Sequence, residues 1–196
     1  QFDELQQLYN LSVLIDREQD IEKIYGYAMQ SLLPGVHADR CSVFTSDDDG
    51  NMTLKVSKNL SPAYLKATEG YSPWSDNQDN PAPVFIEDVL KFAGLNSLRE
   101  FILNEGIRSL GFIPLLFHGK LIGKFMIYYN EGHVFTDSEI QFTRTVANTI
   151  SFSIERKRSN EALQASENRY HSLVEQAADA IVLFDNKGNI LEVNNS

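Results

Sequence analysis

The stretch that decides the fold is IRSLGFIPLLFHGKLIGKFMIYY, residues 107–129. Two long runs of β-forming residues flank His118-Gly119, which predicts two strands joined by a tight turn. Apolar side chains of the first run occupy both faces, Leu110, Phe112 and Leu116 on one and Ile113, Leu115 and Phe117 on the other. An antiparallel sheet with one face in water would alternate apolar and polar residues. We therefore expect an α+β fold whose antiparallel sheet is covered on both faces and flanked by helices.

The rest of the chain supplies the covering elements. Apolar periodicity and turn residues predict helices at 2–15, 18–33 (stopped by Pro34-Gly35), 61–69 and 97–105, a hairpin around the acidic turn DDDGN, an ordered loop or lid at 70–83, and a short strand in PVFIEDV. Helices can cover one face of the central hairpin. The segment 61–105 is the natural cover for the other face.

A long helix is expected to lead out of this domain. Thr136 and Glu139 form a capping box, and no Gly or Pro interrupts the chain until after residue 176. About 40 helical residues far exceed the usual mean of about 11–12, which indicates a coiled-coil connector. Beyond it, AIVLFD and NILEVN flank the turn NKG and predict another hairpin. Because two strands alone are not stable in water, we expect this hairpin to be the truncated start of a second domain.

Composition excludes several classes of function. The 196 residues carry a formal charge of −10, whereas a groove for nucleic-acid phosphates needs clustered Lys and Arg. No window reaches the ~18 apolar residues of a membrane span, and the first residues lack the features of a signal peptide. With Cys41 as the one cysteine, no disulfide can form within the chain. We therefore expect a cytoplasmic protein, with no nucleic-acid partner and no membrane contact in this segment.

The order of helix, hairpin, variable segment, long hairpin and exit helix resembles the GAF family. The resemblance covers about 5–158 and is carried by RCSVFTSDDDGNMTL, LSPAYLKATEGYSPWS, PVFIEDV and IRSLGFIPLLFHGKLIGKFMIYYNEGHVFTDSEIQFTRTVANTISFSIER. The stretch ENRYHSLVEQAADAIVLFDNKGNILEVN resembles the entry of a PAS domain. The expected organisation is a GAF-like domain at 1–158, a connector helix at 159–170 and a PAS fragment at 171–196.

Together the two resemblances imply the input half of a sensor histidine kinase, or less often of a cyclic-dinucleotide enzyme. They imply a sensory or regulatory segment that is not itself an enzyme and has no resident cofactor. A structural dimerisation or spacer domain without a ligand remains an alternative.

No residue pattern indicates catalysis or metal binding. His171 lies in RYHSLVEQ, which lacks the acidic residue and the Pro of a phosphoacceptor site, so a surface or packing histidine is expected. His37, His118 and His133 share no ligand spacing and are expected at surface turns. Cys41 is expected to be buried and inert, because bilin-binding GAF domains use a Cys next to a His in the variable segment, which has neither.

A candidate pocket lies where the variable segment meets the sheet. The residues expected to line it are Tyr71, Ser72 and Trp74 of the segment, together with Phe112, Phe125 and Tyr129 of the sheet. Such a pocket would take a small-molecule ligand whose identity is unknown. The alternative is that Trp74 seals the core and leaves no cavity, since aromatic side chains fill cores as readily as they line ligand sites.

The exit helix is expected to form the seam of a parallel homodimer. Val146, Ile150 and Ile154 recur at four-residue steps and share one stripe of the helix. An apolar stripe continues further along at Leu163, Tyr170, Leu173 and Ala177. The competing interpretation is that Val146, Ile150 and Ile154 pack on their own sheet and leave a monomer.

Overall fold

The computed structural model describes residues 13–15, 18, 20–47, 50–75, 78–95, 98–177 and 181–194. The chain divides into two compact units, Gln1–Glu155 and Arg156–Ser196. Its elements are α1 (Ile21–Gly35), β1 (Arg40–Ser46), β2 (Met52–Lys58), α2 (Pro62–Thr68), β3 (Val84–Ile86), α3 (Arg99–Asn104), β4 (Ser109–Phe117), β5 (Lys120–Tyr129), α4 (Asp137–Glu175), β6 (Val182–Phe184) and β7 (Ile190–Val193). Most of the predicted helix at 2–15 lies outside the described residues.

A five-stranded antiparallel sheet organises the first unit, in the order β2-β1-β5-β4-β3. Two separate clusters of buried side chains lie on it. The helix-side face packs against α1 and α4 and includes Ile113, Phe125 and Ile127. The loop-side face includes Phe112 and Tyr128 and is covered by residues from the segment 61–105. The expected α+β class, with an antiparallel sheet covered on both faces, is confirmed.

Helices α1 and α4 approach closely at one glycine. A Cβ atom built on Gly35 would lie 2.4 Å from Cζ of Phe142, far inside van der Waals contact. Helix α1 ends at this glycine, with Pro34 in its last turn. The predicted stop signal therefore also creates the space into which the Phe142 ring of α4 packs.

Helix α4 begins at the predicted capping box. The Thr136 amide donates to Oε2 of Glu139 at 2.8 Å, and the Glu139 amide donates to Oγ1 of Thr136 at 3.3 Å. Val146 and Ile150 are 0% exposed and Ile154 is 3% exposed within the first unit. The prediction that these three residues form a seam between two chains is wrong, because their side chains are buried against the sheet of their own chain.

The second unit contains the end of α4 and a hairpin of β6 and β7, which is the hairpin predicted for the tail. Asp185 closes the turn by accepting hydrogen bonds from the amides of Lys187 and Asn189, both at 2.8 Å. Asn194 joins the hairpin to the helix, since its Nδ2 donates to the Val174 carbonyl at 3.0 Å. Within the described ranges no helix combines the length and the apolar character needed to cross a bilayer.

Candidate ligand site

A β-bulge decides which side chains of the central hairpin share a face. The strands leave their turn with Leu116 opposite Leu121, but the next pair is Leu115 opposite Gly123. Ile122 is therefore the extra residue of the bulge. Because side chains alternate with a period of two, a shift of one residue moves the rest of β5 to the opposite face relative to β4.

The bulge corrects part of the predicted pocket. Phe112 pairs with Met126, so these two side chains share one face of the sheet and Phe125 lies on the opposite face. Phe125 and Tyr129 belong to the helix-side cluster, where the Tyr129 hydroxyl donates to the Val36 carbonyl at 2.9 Å. The prediction that Phe125 and Tyr129 line a pocket under the variable segment is therefore wrong.

The other predicted residues do meet on the loop-side face. The Tyr71 ring lies 5.9 Å from the Phe112 ring, measured between centroids, and the Trp74 ring lies 6.5 Å from Phe112 at an edge-to-face angle of 81°. Trp74 is 7% exposed, and its Nε1 donates to the Ala82 carbonyl at 2.8 Å. Ser72 accepts from the Trp74 amide at 3.3 Å and shapes the turn. Trp74 thus packs with Phe112 in the buried cluster of the loop-side face.

Sequence reasoning missed the most unusual residue of this face, Lys124. It lies near the middle of β5, opposite Phe44 on β1 and Pro114 on β4, and its side chain is 0% exposed. Its neighbour Gly123 lets β1 approach, because a Cβ there would lie 2.4 Å from the Phe44 carbonyl oxygen. A glycine and a lysine inside an otherwise apolar strand were the available signal, since glycine in a strand often marks a bulge or a close backbone approach.

Aromatic rings surround the Lys124 amine. Its Nζ lies 4.7 Å from the ring centroid of Phe44, 5.6 Å from that of Tyr71 and 6.0 Å from that of Phe112. It donates a hydrogen bond to the Tyr71 carbonyl. In the part of the chain that the structure describes, no carboxylate oxygen lies within 4.0 Å of this amine. Burial lowers the pKa of Lys124 to about 7, because a low-dielectric site disfavours the charged form.

Polar groups continue along the same face. The Ser42 and Tyr128 hydroxyls lie 2.9 Å apart, and the Tyr128 hydroxyl also donates to Sδ of Met126 at 3.2 Å. Tyr64 of α2 packs edge-to-face on Tyr128, with ring centroids 5.7 Å apart. Its buried hydroxyl has no hydrogen-bond partner among the described residues. The loop-side face is thus apolar with a few buried polar groups.

An ion pair holds the cover of the loop-side face, which is formed by residues from the segment 61–105, against the sheet. Arg40 at the start of β1 pairs with Glu105 at 3.1 Å. The same carboxylate accepts from the Ser61 amide at 2.7 Å, just before α2. Both side chains are largely shielded from solvent, so the pair holds the beginning of α2 and the end of α3 against the sheet.

Two cavities adjoin the covered sheet. One of about 550 Å³ lies beside β3 and the β5–α4 connection, with Asp88, Phe92 and His133 in its lining. The other, of about 300 Å³, lies between residues 80–83 and α4, where Arg144 and Asn148 contribute. Tyr71, Trp74 and Lys124 line neither of them.

The cysteine and three of the histidines considered above are buried, packed or placed at turns. Cys41 is 1% exposed, and burial raises the pKa of its thiol to about 12. His37 and His118 occupy left-handed turn positions, with φ of 51° and 48°. His133 stacks on Tyr129, with centroids 3.9 Å apart, and its Nε2 lies 2.9 Å from Oε1 of Glu139.

Comparisons with known proteins agree with this architecture. A sequence model of the GAF domain matches residues 20–154, and one of the PAS domain matches residues 168–196. A solved domain from Sinorhizobium meliloti 1021, described as part of a two-component sensor histidine kinase, shares 38% identity with a TM-score of 0.70, over 75% of this chain and 99% of that one. The GAF domain of a phosphoenolpyruvate-protein phosphotransferase from Coxiella burnetii has a TM-score of 0.65 at 20% identity, over 82% of this chain and 98% of that one.

A curated relative adds a longer sensor protein. The methyl sulfide methyltransferase-associated sensor of Methanosarcina acetivorans is 26% identical over 113 residues, which are 57% of this chain and 11% of the relative. The chain thus corresponds to a small part of that relative's length. The GAF match spans more than half of the residues of this chain. The chain therefore belongs to the GAF domain family, and its GAF domain is followed by a PAS match.

Proposed function

We propose that this chain is the sensory input module of a signal-transduction protein, a cytoplasmic sensor histidine kinase, and is not itself catalytic. It senses a small ligand at the loop-side face and passes the change to the next domain through α4. The observation that carries the proposal is the course of α4, which starts in the core through Phe142, Val146 and Ile150 and extends to Glu175. A change in how the core packs therefore acts on the same helix that leads into the PAS match.

A route from the cover to α4 supports the proposal. The Trp74 indole is bonded to the Ala82 carbonyl, and residues 80–83 face Arg144 and Asn148 of α4 across the smaller cavity. A ligand that binds one arrangement of the cover better than another shifts their populations. Movement of Trp74 and of residues 80–83 would then alter the surface against which α4 rests.

The kinase assignment is tested by the chemistry of its product. Full-length protein incubated with radiolabelled ATP is expected to acquire phosphate that is labile in acid and stable in alkali, as phosphohistidine is. Formation of a cyclic dinucleotide from GTP, without such phosphate, would assign the alternative output instead.

A sensor is separated from a passive spacer by substitutions in the cover. Tyr71→Ala in the full-length protein is expected to change autophosphorylation by about fivefold or more, the lower range of measured allosteric couplings. Lys66→Ala, at an exposed position of the nearby helix α2, is the control and should leave the rate unchanged. Equal rates for wild type and both variants would indicate a spacer.

The homodimer is proposed on the later part of the predicted stripe of α4, without Val146, Ile150 and Ile154. In the second unit Leu163, Tyr170 and Leu173 are 60%, 58% and 65% exposed. Their spacings of seven and three residues are those of the core positions of a coiled coil. Most helical stability comes from packing an apolar face, so this stripe favours a second copy of the same helix.

Sedimentation of this chain tests the seam. Wild type is expected to be a dimer at concentrations on the order of tens of micromolar, an affinity that a modest coiled coil reaches. The double variant Leu163→Glu, Leu173→Glu should be monomeric. Gln164→Glu, Ala165→Glu changes the charge equally at exposed positions beside the stripe and should remain dimeric. A monomeric wild type would refute the dimer.

A further inference from the structure

Lys124 is the residue of the loop-side face that indicates a class of ligand. It is the one charged side chain among the buried residues of the described ranges. An ammonium group has three donors, and its bond to the Tyr71 carbonyl uses one of them. A buried charge without a partner is unfavourable, and buried charges in proteins are ordinarily paired. The site therefore offers a buried amine for whose protonated form the described residues provide no carboxylate.

The surroundings define the shape and charge of a fitting ligand. Phe44, Tyr71 and Phe112 place aromatic rings within 6.0 Å of the amine, and Trp74 packs on Phe112 from the side of the cover. Aromatic walls favour an apolar or aromatic body. A single amine balances one negative charge, so a phosphate dianion would remain partly uncompensated. The complement is a monoanion attached to an apolar group.

Resting on the sensory function proposed above, we propose that the ligand is a small monocarboxylate with an apolar or aromatic body, anchored by the amine of Lys124. Its carboxylate takes the place that the Tyr71 carbonyl holds in the present structure. The carboxylate adds the attraction of opposite charges to the hydrogen bond, and in a buried site this attraction favours the ligand over the neutral backbone oxygen.

The exchange also connects binding to the cover. Tyr71 is half-buried and lies three residues before Trp74, whose indole bonds to Ala82. When the Tyr71 carbonyl leaves the amine, the segment that includes Trp74 has to shift. The position of the ligand thus explains why its arrival would be felt at residues 80–83, next to α4.

The test uses benzoate and butyrate as probes, with benzamide and butyramide as neutral controls of matched shape. Binding is followed at neutral pH through the NMR resonance of the Lys124 Cε and Nζ and by calorimetry. Each carboxylate is expected to bind at least about tenfold more tightly than its amide, which corresponds to a difference of one charge-assisted contact.

Substitutions assign the binding to the amine. Lys124→Met should weaken benzoate and butyrate by about tenfold or more, to the affinity of the amides. Lys120→Met, at an exposed position of the same strand, should leave both affinities unchanged. Circular dichroism and the spectrum of the remaining residues establish that both variants are folded.

Two outcomes would overturn the assignment. The first is that neither carboxylate shifts the Lys124 resonance more than its amide does. The second is that Lys124→Met binds both carboxylates as tightly as wild type. Neither result would touch the sensory function itself, which is tested by the effect of Tyr71→Ala on autophosphorylation without any added carboxylate.

Discussion

Replacing Lys124 with methionine is expected to raise the free energy of unfolding by about 2–4 kcal/mol at neutral pH, because native wild type has to bury an amine that the unfolded chain keeps protonated in water. Methionine is similarly long, unbranched and apolar, so it can occupy the same space among Phe44, Tyr71 and Phe112. Urea unfolding of the two proteins measures the difference. Lys120→Met, on the exposed part of β5, should change stability by less than about 0.5 kcal/mol.

The pH dependence of that difference identifies its electrostatic origin. The native pKa of Lys124 is lowered to about 7 from an ordinary value of 10.5. Between these values the unfolded chain binds more protons than the native state, so wild-type stability rises with pH and falls as pH decreases toward 7. From about pH 7 to about pH 8.5 wild type should gain about 1.5 kcal/mol relative to Lys124→Met.

Cys41 adds a second pH dependence to the stability of each protein at higher pH. Its native pKa is raised from 9.0 to about 12, so ionisation of the unfolded thiol removes stability as pH rises above 9. This effect opposes that of Lys124, but it is common to wild type and variant and cancels in their difference. Parallel stability curves for the two proteins would show that Lys124 is not neutralised by burial.

Two substitutions on α4, two residues apart, should differ strongly in their cost to stability. Ile150→Ala is expected to cost about 2–4 kcal/mol, because Ile150 is 0% exposed and truncation leaves a cavity in the helix-side core. Phe152→Ala should cost less than about 1 kcal/mol despite removing a larger group, since Phe152 is 67% exposed and touches Phe117 at the ring edge. Chemical denaturation of both variants measures the contrast.

The reverse order of costs would mean that α4 presents its other face to the sheet.

The burial of this stripe of α4 also decides where the proposed homodimer can be tested. A charge at Ile150 or Ile154 would be placed inside the core, so glutamate substitutions there are expected to unfold the domain rather than to dissociate a dimer. Leu163 and Leu173 are exposed in the second unit, so the proposed dimer can be tested there without disturbing the sheet.

The periodicity of residues 107–129 predicted the strands, their turn and the need for two covers, and these features are confirmed. What it could not supply was the register of the hairpin. A regular pairing beyond His118-Gly119 would set Phe112 opposite Phe125, whereas the bulge at Ile122 sets it opposite Met126. One extra residue therefore exchanged the faces of β5, removed Phe125 and Tyr129 from the face under the variable segment and brought Lys124 to that face.

The exit helix shows a second limit of sequence patterns. An apolar stripe reports that a helix face is buried, but not whether its partner is the same chain or another copy. Val146, Ile150 and Ile154 satisfy the spacing of either arrangement, and only the proximity of the helix-side face of the sheet decides for the first. Trp74 posed the same ambiguity between core and pocket, and its contacts with Phe112 and Ala82 place it in the core.

The burial of Cys41 has a practical consequence for following motion in this protein. The chain has one cysteine, and its side chain is 1% exposed with a pKa of about 12. Thiolates rather than thiols react with maleimides and methanethiosulfonates, so the native chain is expected not to react with such reagents. A cysteine introduced at Leu163 or Tyr71 would carry the sole reactive sulfur. Spin labels and fluorophores could then report helix pairing or loop displacement without any prior removal of the natural thiol.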